Sequence, residues 1–331
     1  MSRRLRIGLT LLAGILLLVL ALRGVDAGEL RESIGRAEPV WLVVAGALYL
    51  SAYFVRSLRW RAILRPVAPV RVSEGFYMLM AGYFINYVIP VRAGEIAKSF
   101  FLKRLRAVPI AISLPTVFVD KLLELVSILL VVALIPILSV RMSATLGALI
   151  YTVLGIFLAA MALLLFAFRN PSGASRLLCS LFSWLPDRVY GRLSEFIDLF
   201  VRGMGVARRG PRTLWGLLFL TAVAVLLDAL YFFTMFRAFS VDVGFFRVLF
   251  GYTLLTLSYI LPTPPAQIGY NEFVIGLIFA GGLAATSIPR GEVMAVVLVA
   301  HALTGVIIAA VGLVSFSAMG IKVSEIFKRV S

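Results

Sequence analysis

Tyr87-Val88-Ile89-Pro90, followed by Arg92, Gly94 and Glu95, and Tyr259-Ile260-Leu261-Pro262, followed by Gln267, Gly269, Asn271 and Glu272, are the stretches on which the fold turns. Each reads as an apolar limb, a proline break and a polar, glycine-containing return. They lie within two segments, 75–107 and 245–284, that are too broken to be ordinary membrane spans. The first limb, Gly75 to Ile89, has 15 residues before its proline, and its return limb is studded with charge. A helix needs roughly 20 apolar residues to cross the hydrocarbon core. Short interrupted segments of this kind read as half-membrane helices, that is, re-entrant hairpins. A helix broken inside a bilayer leaves backbone N–H and C=O groups unpaired, which is tolerable only where they line a cavity or a ligand. Pro90, Gly94, Pro262, Pro264, Pro265 and Gly269 are therefore read as the helix-break or hinge positions.

The surroundings support that reading. Of 331 residues, 61% are hydrophobic and 15% charged, and the mean hydropathy is +1.02. Soluble domains sit near half apolar and a quarter charged, so an ordinary water-soluble fold is excluded. Long apolar runs fall at about 7–22, 40–55, 111–138, 145–168, 213–237 and 291–318. Arg3, Arg4 and Arg6 before the first run fit a signal peptide or a first transmembrane helix. No convincing small-x-small site follows, so a retained helix is expected. Cytoplasmic loops collect Lys and Arg, which puts 1–6, 56–74, 169–212 and 319–331 inside, with both termini cytoplasmic. The second span ends in the basic run Arg56, Arg59, Arg61, Arg65 and Arg71. Residues 24–39, 139–144, 238–244 and 284–290 are poorer in positive charge and fall outside. The hairpin segments must then return to the side they entered from, the first from the cytoplasm and the second from outside.

The expected fold is thus an all-α polytopic membrane protein with about six full spans and two re-entrant helical hairpins arranged as an inverted repeat. The chain is read as a single integral membrane domain, 1–331. Residues 1–39 form the first span and an external loop, and 40–138 form repeat 1 with hairpin 75–107. Residues 139–212 form a connecting span and a cytoplasmic segment, 213–318 repeat 2 with hairpin 245–284, and 319–331 a tail. Within the connector, 187–206 place Val189, Leu193, Phe196, Ile197 and Phe200 on one helical face. That periodicity fits either a helix on the membrane surface or a solvated connector.

Composition also closes several functional classes. A net charge of +16 suggests nucleic acid only in a soluble chain; here it reads as topology and contact with anionic lipid. One cysteine, Cys179, excludes an internal disulfide and a multi-cysteine metal site. One histidine, His301, argues against a His-based catalytic triad or zinc site. No metal, cofactor or catalytic residue is expected.

Ionisable groups inside a bilayer are costly and mark function by default. Around the first break stand Asn86, Arg92, Glu95 and Lys98, with Arg92, Glu95 and Lys98 on one helical face. They read as a pocket for an anionic headgroup, or as an internally neutralised cluster near the interface. Asp120, Lys121 and Glu124 sit in the third span and should face protein, with Arg92 or Lys98 as partners. In the second hairpin, Pro262-Thr263-Pro264-Pro265 stops one helix and Gln267 to Glu272 opens the next. The free N–H groups of that opening suit a phosphate or carboxylate, with Asn271 and Glu272 adding contacts. Glu272 acting only as a helix cap is the alternative. Asp228, in mid-span, must find a donor, and His301 is either a packing residue or a proton carrier.

Asn86-Tyr87-Val88-Ile89-Pro90-Val91-Arg92-Ala93-Gly94-Glu95 resembles the Asn-x-x-x-Pro-x-Arg-x-Gly-Glu signature of the flippase-like membrane family, which includes the transmembrane half of lysylphosphatidylglycerol synthetase. Also similar are Arg56 to Arg61, the acidic pair in Val119-Asp120-Lys121-Leu122-Leu123-Glu124, and the proline-glycine-Glu segment 262–272. The second hairpin departs from the family's Pro-Gly-Gly-x-Gly pattern, with Pro265-Ala266-Gln267-Ile268-Gly269 instead; this bears on the substrate more than on the fold. The resemblance implies movement of a phospholipid or polyprenyl-linked lipid between leaflets of the cell inner membrane. On that reading Asn86, Arg92, Glu95, Lys98, Gln267, Asn271 and Glu272 would form the binding site for an anionic headgroup, and Asp120, Lys121, Glu124, Asp228 and His301, with Glu95 and Glu272, would balance charge or couple protons. Membrane lipids are the expected partners, with room for a homo-oligomer or a lipid-modifying enzyme. The rival readings are a non-transporting scaffold for such an enzyme and, more weakly, a lipid-phosphate transferase.

Overall fold

A computed structural model describes residues 3–89, 93–137, 144–203, 211–259, 261, 263–283 and 288–322. Among them there is no strand, and the chain is an all-helical membrane protein. α1 (Arg3–Leu22) leads at a bend of 88° into α2 (Ala27–Gly35), which buries none of its residues. Asp26 sets the start of α2, its carboxylate accepting from the N–H groups of Gly28 and Glu29 at 2.8 and 2.9 Å. Pro39 then opens α3 (Pro39–Leu64), its missing N–H costing nothing in the first turn.

α4 (Val72–Val88) and α5 (Ala93–Arg106) form the first broken unit. α6 (Ile110–Glu124), α7 (Ser127–Ile137) and α8 (Ala144–Arg169) follow. α9 (Pro171–Ser180) and α10 (Asp187–Gly203) lead to α11 (Pro211–Ala238). α12 (Phe245–Ser258), a 3₁₀ turn at Pro265–Gln267, α13 (Tyr270–Ile275) and a π turn at Gly276–Ala280 make the second broken unit. α14 (Arg290–Ala318) completes the described chain. α3, α14 and residues Arg212–Ala238 of α11 are long and apolar enough to cross a bilayer.

Two expected boundaries change. The second span does not end at 55, because α3 runs on to Leu64 and carries Arg56 and Arg59 into the protein interior, where carboxylates await them. Arginine is a good helix former and nothing interrupts the helix before Pro66. The third expected span, 111–138, is two helices, α6 and α7. They are separated at residues 125–126, where the Val126 N–H bonds back to the Leu123 carbonyl in a tight i to i−3 turn. α10 packs on α6, with Phe200 edge-on to Phe118 and Ile197 and Val201 buried, while Val189 and Phe196 stay exposed.

α3 lies along α11, and small residues at Ala45 and Ala52 of α3 and Ala224 and Ala229 of α11 are fully or almost fully buried. Small side chains let membrane helices approach closely, so packing rather than a hydrophobic drive holds them. The two broken units are closed by backbone contact. A Cβ on Gly94 would collide with the Gly82 carbonyl, so α4 and α5 meet at a distance only glycine allows. The Gly94 N–H, free at the start of α5, donates to Asn86 Oδ1 at 2.7 Å. In the second unit Gly269 has φ +77° and rests on the Gly14 carbonyl of α1.

Candidate functional site

A cavity of about 200 Å³ opens between α3, α4, α11, α12, the 3₁₀ turn and α14. Its wall is aromatic and hydroxylic. Seven of the chain's 11 tyrosines line it: Tyr49, Tyr53, Tyr83, Tyr87, Tyr231, Tyr252 and Tyr259. Helical spacing produces one edge, since Tyr49, Tyr53 and Arg56 fall at i, i+4 and i+7 on one stripe of α3. Tyr49 donates to Tyr53 at 3.0 Å, and the Tyr53 and Tyr83 rings meet edge-on at 4.6 Å.

Behind and beside this wall runs a continuous ion network. Arg56 forms a fork with Asp228, Nη1 donating to Oδ1 at 3.2 Å and Nη2 to Oδ2. Tyr252 donates to the same Oδ2 at 2.6 Å. Arg59, one turn on and 1% exposed, donates to Asp120 at 2.8 Å and to Glu124 and Thr221 at 3.2 Å each. Lys121 holds Glu124 at 2.8 Å and Glu95 at 2.9 Å. Lys98 meets Glu95 at 2.7 Å and Asp120 at 3.8 Å, with its ammonium 5.5 Å from the Trp60 ring centre. Arg56, Arg59, Lys98 and Lys121 thus face Glu95, Asp120, Glu124 and Asp228, charge for charge. Burying charges costs several kcal/mol each unless they are paired; here each described member has an opposite charge within 4 Å, although Lys98 Nζ and Glu95 Oε2 meet theirs without a hydrogen bond.

At the other end of the cavity, His301 of α14 reaches the second broken unit. Its Nδ1 lies 2.5 Å from Glu272 Oε1 and its Nε2 2.7 Å from the Ala266 carbonyl. Asn271 Nδ2 donates to Gln267 Oε1 at 3.1 Å, and Tyr259 donates to Asn271 Oδ1 at 2.8 Å.

The expected site residues divide accordingly. Asn86, Glu95, Lys121, Glu124, Asp228, Gln267, Asn271 and His301 line the cavity. Lys98, Asp120 and Glu272 do not line it and are almost completely buried in ion pairs instead. The Lys98 ammonium lies between Glu95 and Asp120, away from the cavity lining. Glu272 spends its carboxylate on His301 and makes no side-chain cap to its helix. Among the break positions, Gly94 joins α4 to α5, while Pro264, Pro265 and Gly269 shape the turn before α13. Pro90, Arg92 and Pro262 lie outside the described residues.

Arg56 and Arg59 were legible as the end of a span and within the family resemblance, but not as ion-pair partners, because their carboxylates on α6 and α11 are far away in sequence. The tyrosine set carried a weak signal, polar aromatics recurring with helical period inside apolar spans. Among the described residues no group of three or more His, Cys, Asp or Glu side chains could hold a metal ion.

These features define a polytopic membrane protein whose two broken helical units converge on a polar cavity. The chain belongs to the family of the lysylphosphatidylglycerol synthase transmembrane region, whose pattern matches residues 6–312. It is 26% identical over 253 residues to a UPF0104 membrane protein of Methanothermobacter thermautotrophicus, covering 72% of this chain and 73% of that one. It is 32% identical over 127 residues to the glycosyltransferase AglD of Haloferax volcanii, a match covering 36% of this chain and 20% of the relative. The chain therefore spans only a fifth of that glycosyltransferase's length. No solved structure matches.

Proposed function

We propose that this protein is a flippase that moves a phospholipid or polyprenyl-linked lipid between the leaflets of the cell inner membrane, its headgroup passing through the tyrosine-lined cavity. The observation that carries this reading is the cavity itself, a polar site walled by both broken units inside an apolar helical bundle. Half-helix units meeting near a midplane site are how secondary transporters expose backbone and charge to a substrate. In this reading α1, α3, the α6–α7 pair, α8, α11 and α14 span the membrane, and α4–α5 and α12–α13 are the re-entrant hairpins of an inverted repeat. The packing of α3 along α11, the matching spans of the two halves, supports that arrangement. The termini lie in the cytoplasm by the positive-inside rule, and the protein itself performs no bond chemistry. The partial likeness to a glycosyltransferase keeps a sugar-bearing lipid within the substrate range.

The test is flipping in proteoliposomes, with fluorescent phospholipid and polyprenyl-linked lipids, for wild type beside Arg92→Ala. Wild type should move at least one lipid, and the variant should move none while melting as wild type does. Full transport by the variant would remove Arg92 from the site. A pure, folded wild type that moves no lipid but retains one stoichiometric enzyme partner would favour the scaffold. The exposed Val189 and Phe196 of α10 offer such a scaffold a docking edge.

A further inference from the structure

His301 is the chain's single histidine, and both of its ring nitrogens face oxygen. A carbonyl only accepts, so the 2.7 Å contact to Ala266 requires a hydrogen on Nε2. Nδ1 then faces a carboxylate oxygen at 2.5 Å. Two lone pairs cannot approach so closely at a site where the side chains of His301 and Glu272 are 9% and 3% exposed. One further hydrogen must therefore lie between Nδ1 and Oε1. The pair is neutral with that proton and carries a full negative charge without it.

The proton is tied mechanically to the second broken unit. Ala266 and Gln267 have φ of +51° and +59°, the left-handed region that side chains other than glycine's disfavour. The hydrogen bond from His301 to the Ala266 carbonyl anchors this turn. When the extra proton leaves, one N–H remains for two acceptors, a carboxylate and an amide carbonyl. A charge-assisted hydrogen bond is about twice as strong as a neutral one, so the hydrogen goes to Glu272. Nε2 is then left with a lone pair against the Ala266 carbonyl, and the anchor becomes a repulsion. The same turn packs on α1 at Gly14 and supplies Gln267 to the cavity wall.

The groups facing His301 leave this logic intact. From α13 comes Glu272, the charged side chain acting on the ring among the described residues. From α4 comes Tyr87, edge-on with ring centres 6.2 Å apart, and from α11 Tyr231 bonds to the carbonyl of the preceding residue, Ala300. The turn itself offers only uncharged groups.

We propose that Glu272 and His301 form a one-proton latch, which in its protonated state pins the turn at Ala266 and holds this wall of the cavity closed, and on proton loss releases it. The latch rests on the flippase reading only for what the released turn admits.

A single histidine makes the test direct. In protein labelled with nitrogen-15 histidine, in nanodiscs, both ring nitrogens should be hydrogen-bearing or hydrogen-sharing at pH 5. One titration step between about pH 5 and 9 should leave the hydrogen on Nδ1 alone. In a Cys179→Ser background, maleimide labelling of Thr263→Cys, a cavity-wall position 8% exposed here, should accelerate about tenfold across that step once rates are corrected for the thiolate fraction. Adding Glu272→Gln, whose amide can donate to Nδ1 permanently, should keep labelling slow at every pH; adding His301→Ala should keep it fast. An Nε2 without hydrogen at pH 5, the absence of a titration step, or labelling of the otherwise wild-type protein that ignores pH would each overturn the latch. These readouts need no lipid. A latch in a protein that moves no lipid removes the flippase reading alone, whereas lipid movement without the titration step removes the latch alone.

Discussion

The fork between Arg56 and Asp228 allows a quantitative test of how this membrane protein holds its two halves together. The pair joins α3 to α11, with side-chain exposures of 11% and 6%, and Tyr252 bonds to both partners. Removing one member of a buried pair leaves the other charge uncompensated and costs about 3–5 kcal/mol. Arg56→Met strands Asp228, whose remaining described partner is the Tyr252 hydroxyl. Asp228→Leu strands Arg56, which among the described residues keeps Glu124 at 4.0 Å, the Tyr252 hydroxyl and the Tyr53 ring. The double variant strands nothing, since Met and Leu fill similar volume in an apolar seam, and replacing a buried pair this way is often close to neutral. Each single variant should therefore lower the apparent Tm in mild detergent by roughly 6–10 °C, at about 2 °C per kcal/mol for a chain of this size. The double variant should fall within roughly 3 °C of wild type, a coupling of at least about 3 kcal/mol. Thermal unfolding followed by tryptophan fluorescence reads all four proteins in one buffer. A double variant as unstable as the sum of the singles would refute the view that stranded charge, rather than lost contact, is the main cost.

Other substitutions probe other links. Gly94→Ala puts a methyl into the Gly82 carbonyl and disturbs the hydrogen bond to Asn86, so a loss of about 2–4 kcal/mol is expected from overpacking and the lost bond. Gly155→Ala in α8 meets nothing within 4 Å and should raise the melting temperature slightly, by about 0.5–1 kcal/mol of helix propensity. Arg106 donates to both oxygens of Glu74 at 2.6 Å in the first turn of α4, which holds that carboxyl below the usual glutamate range. Because the folded value is lowered, the stabilisation is complete above the ordinary value near ~4.3 and disappears as pH falls through the folded one. Glu74→Gln should flatten the acid limb of the melting curve below about pH 5 and cost under about 1 kcal/mol at pH 7. Cys179, partly exposed on α9, should react with a membrane-impermeant maleimide in inside-out vesicles and not in right-side-out ones. The opposite pattern would invert the topology.

The parts of this architecture readable in sequence are those set by local chemistry. The proline- and glycine-bearing stretches 90–94 and 262–269 mark breaks in the sequence, and the described helices stop short of them or start within or beside them: α4 ends at Val88, α5 begins at Ala93, α12 ends at Ser258 and α13 begins at Tyr270. Ionic pairs three residues apart on one helix, such as Glu95 with Lys98 and Lys121 with Glu124, follow from helical spacing alone. Arg56 and Arg59 were obscured because the positive-inside rule assigns a basic cluster at a span's end to a loop, and only tertiary contact with α6 and α11 draws it inward. The partition of Lys98 and Glu272 away from the cavity was equally hidden, since helical phase gives a side chain's direction but not the depth of what covers it. The split of α6 from α7 has no proline or glycine at 125–126 to announce it.

The pairing of every described cation in the network has a consequence for any headgroup that enters. A cavity with free guanidinium groups would attract phosphate by charge alone; this one presents cations already satisfied by carboxylates 2.8–3.2 Å away. An anionic headgroup must therefore compete with Asp228, Asp120 or Glu124 for a donor, and its own desolvation is offset only if the displaced carboxylate finds a proton or another cation. Lys121 already bridges Glu95 and Glu124, so the network contains a ready second partner for exchange. The tyrosine hydroxyls and amides of the wall are engaged mostly with one another and with neutral groups, so the neutral, hydroxyl-rich part of a headgroup exchanges with them without stranding a charge. On the flippase proposal, charge would act mainly to keep α3, α5, α6 and α11 in register, and selectivity would come from the aromatic wall. Tyr83→Phe, which keeps the ring and removes one hydroxyl, should change which lipid is moved more than it changes the melting temperature, whereas the Arg56 and Asp228 singles should do the reverse.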